Sequence, residues 1–150
     1  MAVHGIVYRL NDSPQWGALK MPETTTCSDQ LFSPASANQT LPLVRRVVDD
    51  ILDTGRQLRT LAAELGEKFD DNTRVRQLKS TLRELFGELE NIGCSYRDWD
   101  FEIGLIDFPA VIEGDEVLLC WRSDEPELLY YHGIDEGYAG RKPIPESCRC

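Results

Sequence analysis

His132, Glu136 and Asp107 are the residues of this chain best suited to proton transfer. His132 closes the run Glu127–His132, and a neutral imidazole serves equally as general base or metal ligand near neutral pH. The plainer role is a strand-end histidine bonded to a loop carbonyl. Glu136 follows four residues later, but Gly133 between them disfavours a shared helical turn, so the two meet only if the loop folds back. Asp107 stands among Leu105, Ile106, Phe108, Pro109 and Ala110. An aspartate in such a run opposes β-structure and is costly if buried alone. Either it faces water at a sheet edge, or Arg122, Arg141, His132 or a metal offsets it. His132, Glu136 and Asp107 are therefore the catalytic candidates, and Arg122, Trp121, Tyr138 and Arg141 the candidate ligand-binding residues.

Other chemistries fit less well. Asp107, Cys120, His132 and Glu136 are plausible ligand types, yet their spacing matches no close-set metal motif, and the expectation is a chain without metal or cofactor. Cys120 beside Trp121 in an apolar run reads as a buried, inert thiol rather than a nucleophile. Cys148 and Cys150 could chelate a soft metal but read as two plain thiols. The glycines of the segment 133–140 accompany Asp135 and Glu136, whose charges would repel a phosphate. Arg141 and Lys142 can salt-bridge the acidic body or clamp a carboxylate; the salt bridge is favoured.

Composition narrows the partners. The formal net charge of -10 argues against nucleic acid and anionic membranes. No stretch approaches the roughly 20 apolar residues of a membrane helix. The cysteines number 5, an odd count with irregular spacing, which suits free thiols in a reducing cytoplasm. A chain of 150 residues fits one domain, which buries about 70% of its unfolded surface without needing staples.

The elements that must carry these residues follow from periodicity. Residues 1–30 sustain no period and read as a poorly ordered extension. Ser33 before Pro34 is a helix start; Pro42 then suggests a short turn followed by a long helix from about Leu41. The stripe Val44, Val47, Val48, Ile51, Leu52, Leu58, Leu61 and Leu65 predicts a helix ended by Gly66, with Arg45–Asp49 pairing on its wet side. Asp70 or Asp71 should cap a second helix carrying Val75, Leu78, Leu82, Leu85, Phe86, Leu89 and Ile92, ended by Gly93. Three strand-like runs follow: 104–112, 116–122 and 127–132. Pro109 places the first at an edge or a bulge. The predicted fold is α+β: a long antiparallel helical hairpin, about 34–93, on a small three-stranded antiparallel β-meander, about 103–145. Residues 146–150 read as a flexible tail. Strand parity puts Cys120 and Arg122 on one face and Leu119 and Trp121 on the other, and likewise Tyr130 with His132. Which faces coincide depends on registers that spacing leaves open.

The runs "LFSPASANQTLPLVRRVVDDI" and "GLIDFPAVIEGDEVLLCWRSDEPELLYYHGIDEGYAGRKPI" resemble a bacterial family known as the domain of unknown function 2203 family. The marks are Asp107-Phe108-Pro109, Cys120-Trp121, Glu127, His132, and Glu136-Gly137-Tyr138-Ala139-Gly140-Arg141, with tyrosine where the family has phenylalanine. Tyr131 stands where tryptophan is expected. The resemblance spans about residues 31–144 and implies a fold boundary, not an activity.

Two main functions remain, with the first favoured over the second. One is a cytoplasmic interaction or scaffold module whose hairpin pairs with a second copy or a helical partner; an exposed apolar seam would support it. The other is a ligand-binding or enzymatic site of Asp107, Arg122, His132, Glu136 and Arg141 around Trp121 and Tyr138. A metal protein is a third.

Overall fold

The computed structural model describes residues 31–149. The extension expected over residues 1–30 lies outside them. Helix α1 runs Pro34–Leu65 and α2 Thr73–Ile92, joined by a 3-10 segment, Gly66–Asp71. The strands are β1 Ser95–Tyr96, β2 Leu105–Ile112, β3 Asp115–Arg122, β4 Tyr130–Gly133 and β5 Lys142–Pro143.

Ser33 caps α1 as its residue type foretells: its hydroxyl accepts from the Ser36 N–H while Ser36 reciprocates to the Ser33 N–H. Pro42 does not divide the helix, contrary to expectation. Ala37, Leu41, Val44 and Val48 are buried on both sides of it. That continuous apolar stripe holds the helix together across one missing hydrogen bond. Arg45 also departs from expectation. Rather than pairing with Asp49, it turns to the sheet, donates to the carbonyls of Ser123 and Glu125, and lies 4.9 Å from the Trp121 ring centroid.

Gly66 and Gly93 end the helices with φ 54° and 108°, a backbone only glycine adopts freely. The cap of α2 is Asn72, whose side chain accepts from the Val75 N–H, not Asp70 or Asp71. Those aspartates are spent in the 3-10 turn that buries Phe69, and Asp70 pairs with Lys79 at 3.0 Å. The two helices pack on each other, and their stripes enter one core with Ile106, Phe108, Leu119 and Trp121 of the sheet.

The sheet has five antiparallel strands in the order β1-β2-β3-β4-β5, not three. The additional strands, β1 and β5, are two residues each, too short to show a period of two. The third expected strand is correspondingly shorter. At residue 128 the side chain of Asn38 of α1 takes the place of a neighbouring strand. Its side-chain oxygen accepts from the Leu128 N–H and its amide donates to the Leu128 carbonyl.

Pro109 lies inside the sheet order rather than on its outer edge, but β1 ends before reaching it. The Phe32 N–H donates to the Pro109 carbonyl, so that carbonyl points away from β3. A residue's N–H and C=O point to the same side of a strand, so the missing donor falls where no ladder bond is lost.

Residues 97–104 form a loop around Asp98, whose carboxylate accepts from the N–H groups of Asp100, Glu102 and Ile103. Burial raises the Asp98 carboxyl above its ordinary range against those bonds. The loop drives Phe101, at φ 56°, into full burial against Tyr96.

Candidate functional site

The registers fix which side chains share the sheet face opposite the core. Asp107 on β2 pairs with Cys120 on β3, and Cys120 with Tyr130 on β4. Alternation then puts Asp107, Cys120, Arg122, Tyr130 and His132 on one face. Asp107, Cys120 and His132 are 4%, 1% and 3% exposed, so this face holds a dry polar centre of its own.

His132 and Asp107, separated by 25 residues, meet there: Nε2 lies 3.1 Å from Asp107 Oδ1. The other ring nitrogen, Nδ1, is 2.8 Å from the Gly133 carbonyl oxygen. A carbonyl only accepts, so Nδ1 carries a proton. Nε2 then faces a carboxylate, and a lone pair there would be repelled. A second proton must sit between Nε2 and Oδ1. Accordingly the Asp107 hydrogen bond, against the desolvation of burial, holds the imidazole above its usual range.

Arg97 holds the carboxylate from its other side. Its Nε donates to Asp107 Oδ2 at 3.1 Å, with half of its side chain exposed. Burial first, then the Asp107 charge, pushes the Cys120 thiol up to about 12. It is a neutral thiol at physiological pH, as the apolar surroundings suggest.

Arg122, Tyr138 and Arg141 gather in a second cluster beside the first. Arg122 forks onto the Asp124 carboxylate, at 2.9 and 2.6 Å, and donates to the Tyr138 hydroxyl. Arg141 binds both oxygens of Glu125, at 2.7 and 2.9 Å, and lies over the Tyr130 and Tyr138 rings. A third bond, 3.2 Å from Arg141 to the Cys120 carbonyl, makes the clusters adjoin. Both arginines thus have carboxylate partners within the chain.

Two candidates stand apart. Trp121 is fully buried on the core face, its indole N–H donating to the Glu125 carbonyl, so it is absent from the polar centre. Glu136 does fold back, as a direct meeting with His132 requires, but it accepts from the Gly133 N–H at 2.7 Å and reaches Lys142 at 4.0 Å. It staples the loop after β4 and makes no bond to the imidazole.

Sequence reasoning did not single out Arg97 or Glu125. Arg97 lies in a mixed polar loop with no periodic signal. Only the β1–β2 register, Ser95 opposite Asp107, brings it near the carboxylate. Glu125 could have been sought as the partner that a basic residue in a half-buried loop requires.

Fold and site together define a small α+β protein with a buried Asp–Cys–His centre on the sheet face away from its helices. Residues 30–144 match the family described as Uncharacterized conserved protein (DUF2203), and the chain belongs to that family. No curated protein and no solved structure matches it. Among the described residues no helix is long and apolar enough to cross a membrane.

Proposed function

We propose that this protein works through the polar face of its sheet, as a ligand-binding protein or enzyme centred on Asp107 and His132. The observation that carries this reading is the 3.1 Å contact between these two groups, both buried and both outside the hydrophobic core. Buried ion pairs seldom stabilise a fold relative to well-packed apolar side chains, which favours a role for this one beyond stability. In this reading His132 and Asp107 share a transferable proton and Arg97 orients the carboxylate. Arg122, Arg141 and Tyr138 form a neighbouring polar wall that accepts part of the ligand. The scaffold reading lacks the seam it would need: of the exposed large apolar side chains among the described residues, only Leu43 lies on the two helices.

The test replaces the pair by apolar groups. Asp107→Val/His132→Leu should unfold in urea with a stability equal to the wild type or about 1–4 kcal/mol higher. A loss of about 3 kcal/mol or more would assign the pair to the fold and overturn the reading.

A further inference from the structure

We propose that Asp107, Cys120 and His132 form a site for a divalent transition-metal ion, of which zinc best fits their chemistry. The inference rests on the polar-face reading above and names the cofactor of that centre. The spacing 107, 120, 132 resembles no close-set motif, which is why a metal-free chain is expected from sequence alone. Pairing across β2, β3 and β4 supplies the proximity that chain spacing does not. One ligand atom from each residue lies within 4.8 Å of the others.

Geometry and chemistry agree on the ion. Ligand distances of about 2.0–2.3 Å in a tetrahedron put neighbouring donor atoms about 3.3–3.6 Å apart. His132 Nε2 and Asp107 Oδ1, at 3.1 Å, are already near that spacing. The Cys120 sulfur lies within 4.8 Å of a ligand atom of each and completes the set on closing toward them. An imidazole, a thiolate and a carboxylate select a borderline ion such as zinc over magnesium or calcium, which take oxygen ligands.

The supporting contacts are those a metal centre uses. His132 gives its other ring N–H to the Gly133 carbonyl, which fixes the tautomer that leaves Nε2 for the ion. Arg97 holds Asp107 by Oδ2, leaving Oδ1 for single-point ligation.

Three protein ligands leave the fourth position of the tetrahedron to a further donor.

The test is cobalt(II) titration of the reduced, chelator-treated full chain, followed by zinc. The wild type should develop thiolate-to-cobalt charge-transfer absorption and tetrahedral ligand-field bands, bleached by zinc. Cys120→Ser and Cys120→Ala should lose the charge-transfer band. Asp107→Asn removes a direct ligand and should weaken cobalt binding by more than the roughly 10–100-fold that losing an outer-shell partner costs. Cys148→Ser/Cys150→Ser should bind as the wild type does. The proposal is overturned if the wild type develops no such spectrum. It is equally overturned if the spectrum survives Cys120 replacement but is lost in Cys148→Ser/Cys150→Ser, which would put the ion on the C-terminal pair. With no cobalt spectrum and an apolar double variant as stable as wild type, the metal inference alone falls and the proton-sharing centre stands.

Discussion

Gly55 sits in the interior of α1, where alanine should ordinarily stabilise by about 1 kcal/mol. Here it should do the opposite. A methyl group at Gly55 would lie 2.1, 2.2 and 2.6 Å from atoms of the Phe101 ring. Ordinary contact starts at 3.4 Å, so the ring must retreat by about 1.3 Å, the difference between 3.4 and 2.1 Å. Phe101 has little room for that, being fully buried and stacked on Tyr96 at 6.0 Å. Overpacking costs about 1–3 kcal/mol where neighbours yield. Expelling the ring approaches the ~3–5 kcal/mol of deleting a buried phenylalanine. With the propensity gain subtracted, Gly55→Ala should lose about 2–4 kcal/mol. Gly87→Ala in α2 meets nothing within 4 Å and should gain up to ~1 kcal/mol. Urea unfolding of both variants, at equal m-values, is the assay. A Gly55→Ala midpoint at or above wild type would refute the packing of loop 97–104 against α1.

Three further expectations follow from charge and burial. The Cys94 and Cys120 thiols are each pushed up to about 12, chiefly by burial. At pH 8 in the native, metal-free protein, peptide mapping should find them modified by a disulfide reagent only at the rate of unfolding. Glu125→Gln removes the carboxylate that holds Arg141 and accepts from the Arg122 N–H; both side chains are mostly buried, and the loss should be about 1.5–3 kcal/mol by urea unfolding. His132, facing Asp107 and Cys120 with Arg97 beyond the carboxylate, is raised above 6.5 principally by the Asp107 hydrogen bond. The folded state then holds a proton the unfolded chain has lost. That contribution is complete below about pH 6.5, declines as pH climbs through the folded-state value, and is flattened in Asp107→Asn.

The α-helical stripes were legible because each apolar step of three or four has one geometric reading, and Gly66, Gly93 and Ser33 mark ends by backbone chemistry. Pro42 misled because local propensity was outweighed by buried residues on both sides of it. The two edge strands escaped because two residues carry no period. The polar centre was half legible. Asp107 was conspicuous as a carboxylate in an apolar run, and His132 as an imidazole ending an aromatic one. Their meeting depends on the pairings Asp107–Cys120 and Leu118–His132, which no spacing reveals. Parity alone could have excluded Trp121, since it alternates with Cys120 and Arg122 and so faces the core. Arg97 required the register of a strand that gave no signal.

The most direct test of the central claim is long-range proton–nitrogen NMR of the His132 ring in the metal-free protein at pH 6. Two protonated nitrogens are predicted, slow to exchange with water, with the Nε2 resonance displaced by Asp107→Asn and the Nδ1 resonance nearly unmoved. A rapidly exchanging ring whose spectrum ignores the Asp107 substitution would mean that the two side chains do not meet, and the polar centre would be withdrawn.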